Sequence, residues 1–418
     1  MRALFRGALV YDNGMMKKQD VVFDGASLSA FDGDISSFSP SSVFDNIAVF
    51  PGFCDVHVHF REPGFSYKET MESGSSAAAH GGYTAVLTMP NLNPAPDSVE
   101  GVEAQLAAIR RGASIAVTPY GTITRGSLGE ELSDMEAIAP LVAAFSDDGK
   151  GVQDEKMMLA AMEKARSLGK MIVAHCEDNS LLHGGYIHDG EYARAHGHRG
   201  ICSESEWGPI ARDVELLKRS GAAYHVCHVS TKESVEIIRR AKAEGVDITC
   251  ETAPHYLTLD DSMLEEDGRF KMNPPLRAAE DREALIAGLL DGTVDMIATD
   301  HAPHSFEEKS RGLEGSLMGV VGIETAFPVI YTELVKRGVI TLEQAVELLS
   351  VRPRERFGIT SDVGFTVFDL GCEYTVDPEK FLSKGRSTPY KGARVFGKCL
   401  ATVYDGKAVY LDEDLIKI

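Results

Sequence analysis

Val49-Phe50-Pro51-Gly52-Phe53-Cys54-Asp55-Val56-His57-Val58-His59 opens the part of the chain whose reading decides the fold. It is an apolar run that ends in two histidines spaced two residues apart. From it to about residue 350, short β-rich runs alternate with helical stretches, the order of parallel strands joined by helical crossovers. Eight runs can be counted, at 49–59, 83–89, 115–122, 141–145, 171–175, 223–228, 247–251 and 294–300, with helical segments such as 155–168, 206–219, 232–243 and 281–290 between them. Eight such units suit an α/β fold of the (β/α)8 TIM-type barrel class; an open doubly wound sheet is the competing arrangement. A barrel takes chemistry from the carboxyl ends of many strands, whereas an open sheet concentrates it at one switch point. Here reactive residues recur at most strand ends, which favours the barrel.

Outside this region the patterning changes. Residues 1–48 and 360–418 are rich in Val, Phe, Tyr and Gly in short alternating runs, and Asp405-Gly406 reads as a hairpin turn. The two termini are therefore expected to combine into one small β-sandwich domain beside a hydrolase barrel spanning 49–359. With 418 residues, 44% of them hydrophobic, the chain can bury a sizeable core, so disorder and collagen-like structure are excluded. A net charge of −21 argues against nucleic acid as a partner. No stretch approaches the ~20 apolar residues of a bilayer span. Met1-Arg2-Ala3-Leu4-Phe5-Arg6-Gly7 lacks the apolar core of a signal peptide, so a cytoplasmic location with no membrane partner is expected. The seven cysteines are scattered, without a C-x-x-C pair, and read as reduced, mostly core thiols.

The sharpest chemical signal is His57-Val58-His59, since residues two apart on a strand share a face and both imidazoles can reach one metal. Alone the pair is weak evidence, because buried histidines also occur in ordinary strands. The rest of the set strengthens it: His175, His228 and Asp300 each end another strand run, and five such groups would converge on one barrel mouth. In Tyr224-His225-Val226-Cys227-His228 strand alternation lets only one histidine point inward, and the terminal His228 is the choice. His183, His188, His196, His198, His255 and His301 read as solvated surface histidines.

The constellation resembles the cyclic amidohydrolases of the amidohydrolase superfamily, and within them the dihydroorotases of the bacterial type I branch. The matching stretches span the whole chain. They include Pro51 to Gly64 with His57-Val58-His59-Phe60-Arg61-Glu62-Pro63-Gly64, Thr88-Met89-Pro90-Asn91, Phe145-Ser146-Asp147-Asp148-Gly149 and Ala174-His175-Cys176-Glu177. Cys227-His228-Val229-Ser230-Thr231, Lys271-Met272-Asn273-Pro274-Pro275-Leu276-Arg277 and Thr299-Asp300-His301-Ala302-Pro303-His304 complete them. Many superfamily members bridge two zinc ions with a carboxylated lysine on the fourth strand. Here the nearby lysine, Lys150, lies past the turn, and the resemblance places the bridging role on Asp148 with Asp147 as its neighbour.

The resemblance thus implies Zn²⁺, one or two ions per chain, on His57, His59, Asp148, His175, His228 and Asp300. Imidazole and carboxylate ligands suit zinc, which polarises an amide carbonyl and lowers the pKa of water toward ~7. Asp300 is the expected proton carrier between the attacking water and the leaving ring nitrogen. The substrate pair implied is N-carbamoyl-L-aspartate and L-dihydroorotate, whose carboxylate needs a cation. Arg61, two residues past His59 on the same face, offers a planar two-donor fork. By resemblance Asn91 and His304 complete the carboxylate site, while Asn273 and the backbone near Gly322 hold the ring amide. The long polar segment 301–319 is expected to form a mobile lid.

The nearest rival is an allantoinase or hydantoinase acting on another cyclic ureide, against which Arg61, Asn91 and Asn273 argue. A rival of another class is a noncatalytic scaffold for a partner such as aspartate transcarbamoylase. Such proteins lose metal ligands, and this chain keeps every candidate. A homodimer is the base-rate expectation for its assembly.

Overall fold

In the computed structural model, which describes residues 2–417, the decisive run divides at Gly52. Ile47–Pro51 joins the sheet built by the termini, and Phe53–Val58 begins the barrel. Glycine is required at this crossing, because a Cβ there would lie 2.2 Å from Thr84 Oγ1 and 2.5 Å from the Val363 carbonyl. The expected single strand over 49–59 is thus two strands of two sheets.

The barrel strands are Phe53–Val58, Tyr83–Thr88, Ala116–Pro119, Met171–Ala174, Ala223–Val226, Ile248–Thr252 and Met296–Ile297, all paired in parallel with their neighbours where they meet. The expected fourth strand at 141–145 is reduced to Phe145, which bridges Gly121 on one side and Ile172 on the other. Pro140 and a 3-10 turn at Ala139–Leu141 take up the beginning of that run. A Val58–His301 bridge joins the last strand position to the first and closes the cylinder. Its interior is filled by side chains from around the ring, including Cys54, Val56, Leu87, Tyr120, Val173, Cys227 and Met296.

The crossover helices begin where the sequence supplies caps. Thr70, Ser98, Asp154 and Thr231 accept backbone N–H bonds at the starts of Met71–His80, Val99–Gly112, Glu155–Ser167 and Lys232–Ala243.

Residues from both termini interleave in one eight-stranded sheet, with Phe365–Thr375 antiparallel to Ile47–Pro51 and Val367 opposite Val49. Strand alternation divides its side chains. Val49, Val367, Phe5, Phe23 and Val403 fill a core of the sheet's own, the curled, sandwich-like part of the fold. Phe50 and Phe368 face the barrel instead, where they meet Phe53 and Phe327 at ring separations of 4.3–5.9 Å. Among the described residues no helix is long and apolar enough to cross a membrane, and all seven cysteines are unpaired.

Candidate metal centre

The first strand delivers its two histidines through a change of phase. Cys54 and Val56 belong to the barrel interior, yet His57 and His59 both turn to the mouth, because the register with the second strand shifts between Asp55 and Val58. Asp55 stabilises the shift by accepting the His57 N–H (3.0 Å) and the Thr299 hydroxyl (2.6 Å), which ties the first strand to the last. Three other site residues sit in the left-handed backbone region: Arg61 at φ 56°, His228 at φ 34° and Asp300 at φ 46°. Such conformations cost about 1–3 kcal/mol each and persist where surrounding contacts hold them. They re-aim each side chain at the point where the strand ends.

All six expected ligands meet in one buried cluster. His59 Nε2 lies 3.0 Å and His57 Nε2 3.5 Å from Asp300 Oδ1. On the other side His175 Nδ1 and His228 Nε2 are 3.0 Å apart. Asp148 stands between the two groups, its oxygens 3.5 Å from His57, 3.6 Å from His59 and 3.7 Å from both His175 and His228. Asp147 turns away and accepts the backbone N–H groups of Ile123 (2.8 Å) and Thr124 (3.1 Å).

This donor set fits a divalent cation. His57 Nε2 and Asp148 Oδ1 face the centre of the cluster, fully buried and without a hydrogen-bond partner. Unsatisfied buried groups cost about 1–3 kcal/mol each, and a cation between them removes that cost. Among the described residues, the candidate ligand atoms of His57, Asp148 and His228 lie within 4.8 Å of one another, as do those of His57, His59 and Asp300.

The electrostatics hold the carboxylates in the state a cation needs. Against their burial, His57 is raised well above the usual imidazole value by Asp148 and Glu251, and His175 is raised by Glu177, so these two rings hold protons that a cation would displace. Burial opposes ionisation of Asp148, but the imidazoles of His57, His59 and His175 draw its pKa well below the usual carboxylate range. Asp300 behaves alike, lowered against its burial by His59 and His57. Burial and the neighbouring Arg61 cation lower His59, keeping its imidazole neutral as a ligand must be.

Behind the ligands stand groups that sequence reasoning missed. Glu251, at the end of the seventh strand, lies 2.6 Å from His57 Nδ1, and Glu177 lies 3.4 Å from His175 Nε2 while accepting from Asn273 Nδ2 (2.9 Å). The signal for Glu251 was present, since it is a carboxylate ending a barrel strand. His228 takes its place at the mouth, but His225 also turns into the barrel, its Nε2 3.1 Å from Glu251 Oε2. The alternation argument fails here because the strand ends at Val226 and the chain twists through His228.

Two supposed surface histidines are buried. His255 packs against Tyr256 in the helix Pro254–Thr258, directly after the seventh strand, and burial lowers its pKa to about 4. His301 follows Asp300, with Nε2 3.4 Å from Glu69 and Nδ1 accepting the Gly322 N–H at 3.3 Å.

Arg61, Asn91, Asn273 and His304 border a cavity of about 220 Å³ at the cluster, whereas Gly322 does not border it. The Arg61 guanidinium donates to one carbonyl, Pro303 O at 3.3 Å, and has ring nitrogens of His59 and His304 at 3.5 Å rather than a carboxylate beside it. Asn91 Nδ2 donates to the Asp148 carbonyl (2.6 Å) and presents its Oδ1 unpaired. Lys68 Nζ donates to His304 Nδ1 (3.1 Å), which leaves the proton on Nε2 to bond the Met318 carbonyl (2.7 Å).

The segment expected as a lid is folded. It contains short helices at Phe306–Lys309 and Gly312–Gly315, and buried Lys309 donates to the carbonyls of Lys271 (2.9 Å) and Leu317 (2.8 Å).

Residues 47–234 match the family model described as dihydro-orotase-like. The dihydroorotase of Shouchella clausii is 50% identical over 418 residues, covering 97% of both chains. That of Fusobacterium nucleatum is 46% identical and covers 99% of this chain and 100% of its own. The solved L-hydantoinase of Arthrobacter aurescens superposes with a TM-score of 0.82 at 23% identity over 98% of this chain and 96% of its own, a likeness of fold alone. With full-length relatives this similar, and with a barrel whose mouth gathers every residue of the resemblance's ligand set, the chain belongs to the dihydroorotase family.

Proposed function

We propose that the protein catalyses the reversible, zinc-dependent cyclisation of N-carbamoyl-L-aspartate to L-dihydroorotate in pyrimidine biosynthesis. The observation that carries the metal reading is the position of Asp148, within 3.7 Å of four imidazole nitrogens that form two groups. The cluster would accordingly hold two ions, with His57, His59 and Asp300 as the ligands for one, His175 and His228 for the other, and Asp148 placed to serve both. When bound, zinc supplies Lewis-acid polarisation of the amide carbonyl and acidification of water.

The remaining work falls to the chain's own side chains. Arg61, without a carboxylate of its own, receives the substrate carboxylate in a two-donor fork, and Asn91 and His304 complete that end of the cavity. Asn273, braced by Glu177, meets the ring amide. The Gly322 N–H is committed to His301 Nδ1 and lies outside the lining, so the ring amide falls to Asn273. In ring opening, Asp300 accepts the proton of the attacking water and delivers it to the departing ring nitrogen; in cyclisation it takes the proton from the ureido nitrogen. The barrel, expected over 49–359 and beginning at Phe53, carries all of this chemistry, and the terminal domain of 1–48 and 360–418, which Ile47–Pro51 joins, contributes none of the named groups. A small-molecule substrate and a cytoplasmic setting belong to the same reading.

A cyclic ureide lacking a carboxylate would leave Arg61 unmatched, which disfavours a hydantoinase or allantoinase activity. The test is metal analysis of the purified protein together with an ultraviolet assay on dihydroorotate and on an uncharged hydantoin. Two zinc ions per chain with turnover of dihydroorotate, and little of hydantoin, is the expected result; preference for hydantoin would overturn the assignment.

A further inference from the structure

Beneath the metal cluster, the carboxylate of Glu251 is 1% exposed and is approached by nitrogen atoms from two other strands. Its Oε1 lies 2.6 Å from His57 Nδ1 and 3.4 Å from the backbone N–H of His228, and its Oε2 lies 3.1 Å from His225 Nε2. We infer that Glu251 is a positioning residue shared by both halves of the metal centre, fixing the ring of His57 on one side and the backbone turn of His228 on the other. The inference rests on the two-ion reading above and adds a residue to it.

The proton inventory decides the tautomers. An ionised carboxylate only accepts, so His57 must carry its proton on Nδ1 and present a lone pair on Nε2, the atom left without a partner inside the cluster. His225 likewise donates from Nε2, and its Nδ1 accepts from Thr249 Oγ1 at 2.9 Å. The contact to His228 has a second consequence. That residue adopts φ 34°, a costly conformation for a side-chain-bearing residue, and its N–H is anchored on Glu251 at the position of the twist. One oxygen thereby sets a ligand of each half.

Glu251→Gln tests this, because it preserves shape but replaces one acceptor by an NH2 donor. That donor must face either the His57 or the His225 ring. Facing His57 it moves the proton to Nε2 and closes that nitrogen to metal; facing His225 it leaves a neutral amide oxygen, a weaker acceptor than the carboxylate, to hold both His57 and the His228 N–H. Zinc affinity of the holoprotein is measured by chelator competition for each ion, with the thermal stability of the metal-free protein recorded alongside. We expect both ions to weaken together, by about 10–100-fold, the range found when a carboxylate behind a metal-bound histidine is removed. Unchanged zinc affinity with lowered metal-free stability would reduce Glu251 to a structural staple and overturn the inference, as would weakening of one ion alone. If Glu251→Gln does not fold, His225→Gln, which loosens only the outer oxygen, should still lower affinity for both ions by a smaller factor, and no change would count equally against it. A wild-type protein holding fewer than two ions would instead refute the two-ion reading.

Discussion

Asp300 is proposed to serve both as ligand and as proton carrier. Its Oδ1 is 3.0 Å from His59 Nε2, and its carboxylate stays ionised because the imidazoles of His59 and His57 outweigh the cost of burial. Asp300→Asn keeps the shape and one acceptor oxygen but cannot carry a proton. We expect zinc and dihydroorotate binding to persist while kcat falls at least ~100-fold, the lower end of what general acid–base catalysis supplies. Zinc stoichiometry, substrate affinity and turnover on one preparation check this, and loss of zinc would make Asp300 chiefly a ligand. At this scale the candidate ligands His57, His59, His175, His228 and Asp300 were legible because each ends an apolar run, while Asp148 was legible only through the family resemblance. The roles of Glu251, His225 and Glu177 were not, although Glu251 ends a strand run, because a carboxylate or imidazole acquires its partner only when a distant part of the chain is placed beside it.

The segment after Asp300 shows what an element decides. Its polar, glycine-bearing sequence reads as mobile, but Lys309 and Leu313 are buried and the backbone from Ala302 to Gly319 packs around His304. Gly319 adopts φ +128°, and a Cβ there would meet the Ala302 carbonyl at 2.8 Å and His304 Nε2 at 3.1 Å. Gly319→Ala should push His304 out of the carboxylate end of the cavity and remove about 1–2 kcal/mol of binding, a factor of about 5–30. The expected outcome is a rise in KM for dihydroorotate of that order with kcat nearly kept; equal damage to both would show that the strain spreads to the metal cluster. The fourth strand teaches the same lesson in reverse, since an apolar stretch at 142–145 yields only one bridged residue once Pro140 has bent the chain.

Across the whole molecule, the terminal sheet and the barrel share an aromatic seam. Phe368 is fully buried with its ring 4.3 Å from Phe327, 5.8 Å from Phe53 and 5.9 Å from Phe50. Thr402 Oγ1 adds a hydrogen bond across it to the Ala79 carbonyl at 2.7 Å. Phe368→Ala should cost about 3–5 kcal/mol, as for other large-to-small core changes. Because the seam couples both parts, a single calorimetric transition at lower temperature is expected; two separated transitions would show that sheet and barrel unfold independently.

The sequence by itself determined the succession of strands and helices, the histidines and aspartates at strand ends, and the interleaving of the termini, because periodicity and end position are local properties of a chain. The tertiary structure alone decided the division at Gly52, the phase change before His57, the inward turn of both His225 and His228, and the burial of His255 and His301. Each depends on closure of the cylinder. Only when Val58 meets His301 and Glu251 comes beneath His57 do residues nearly two hundred positions apart exchange hydrogen bonds, and no local pattern encodes that meeting.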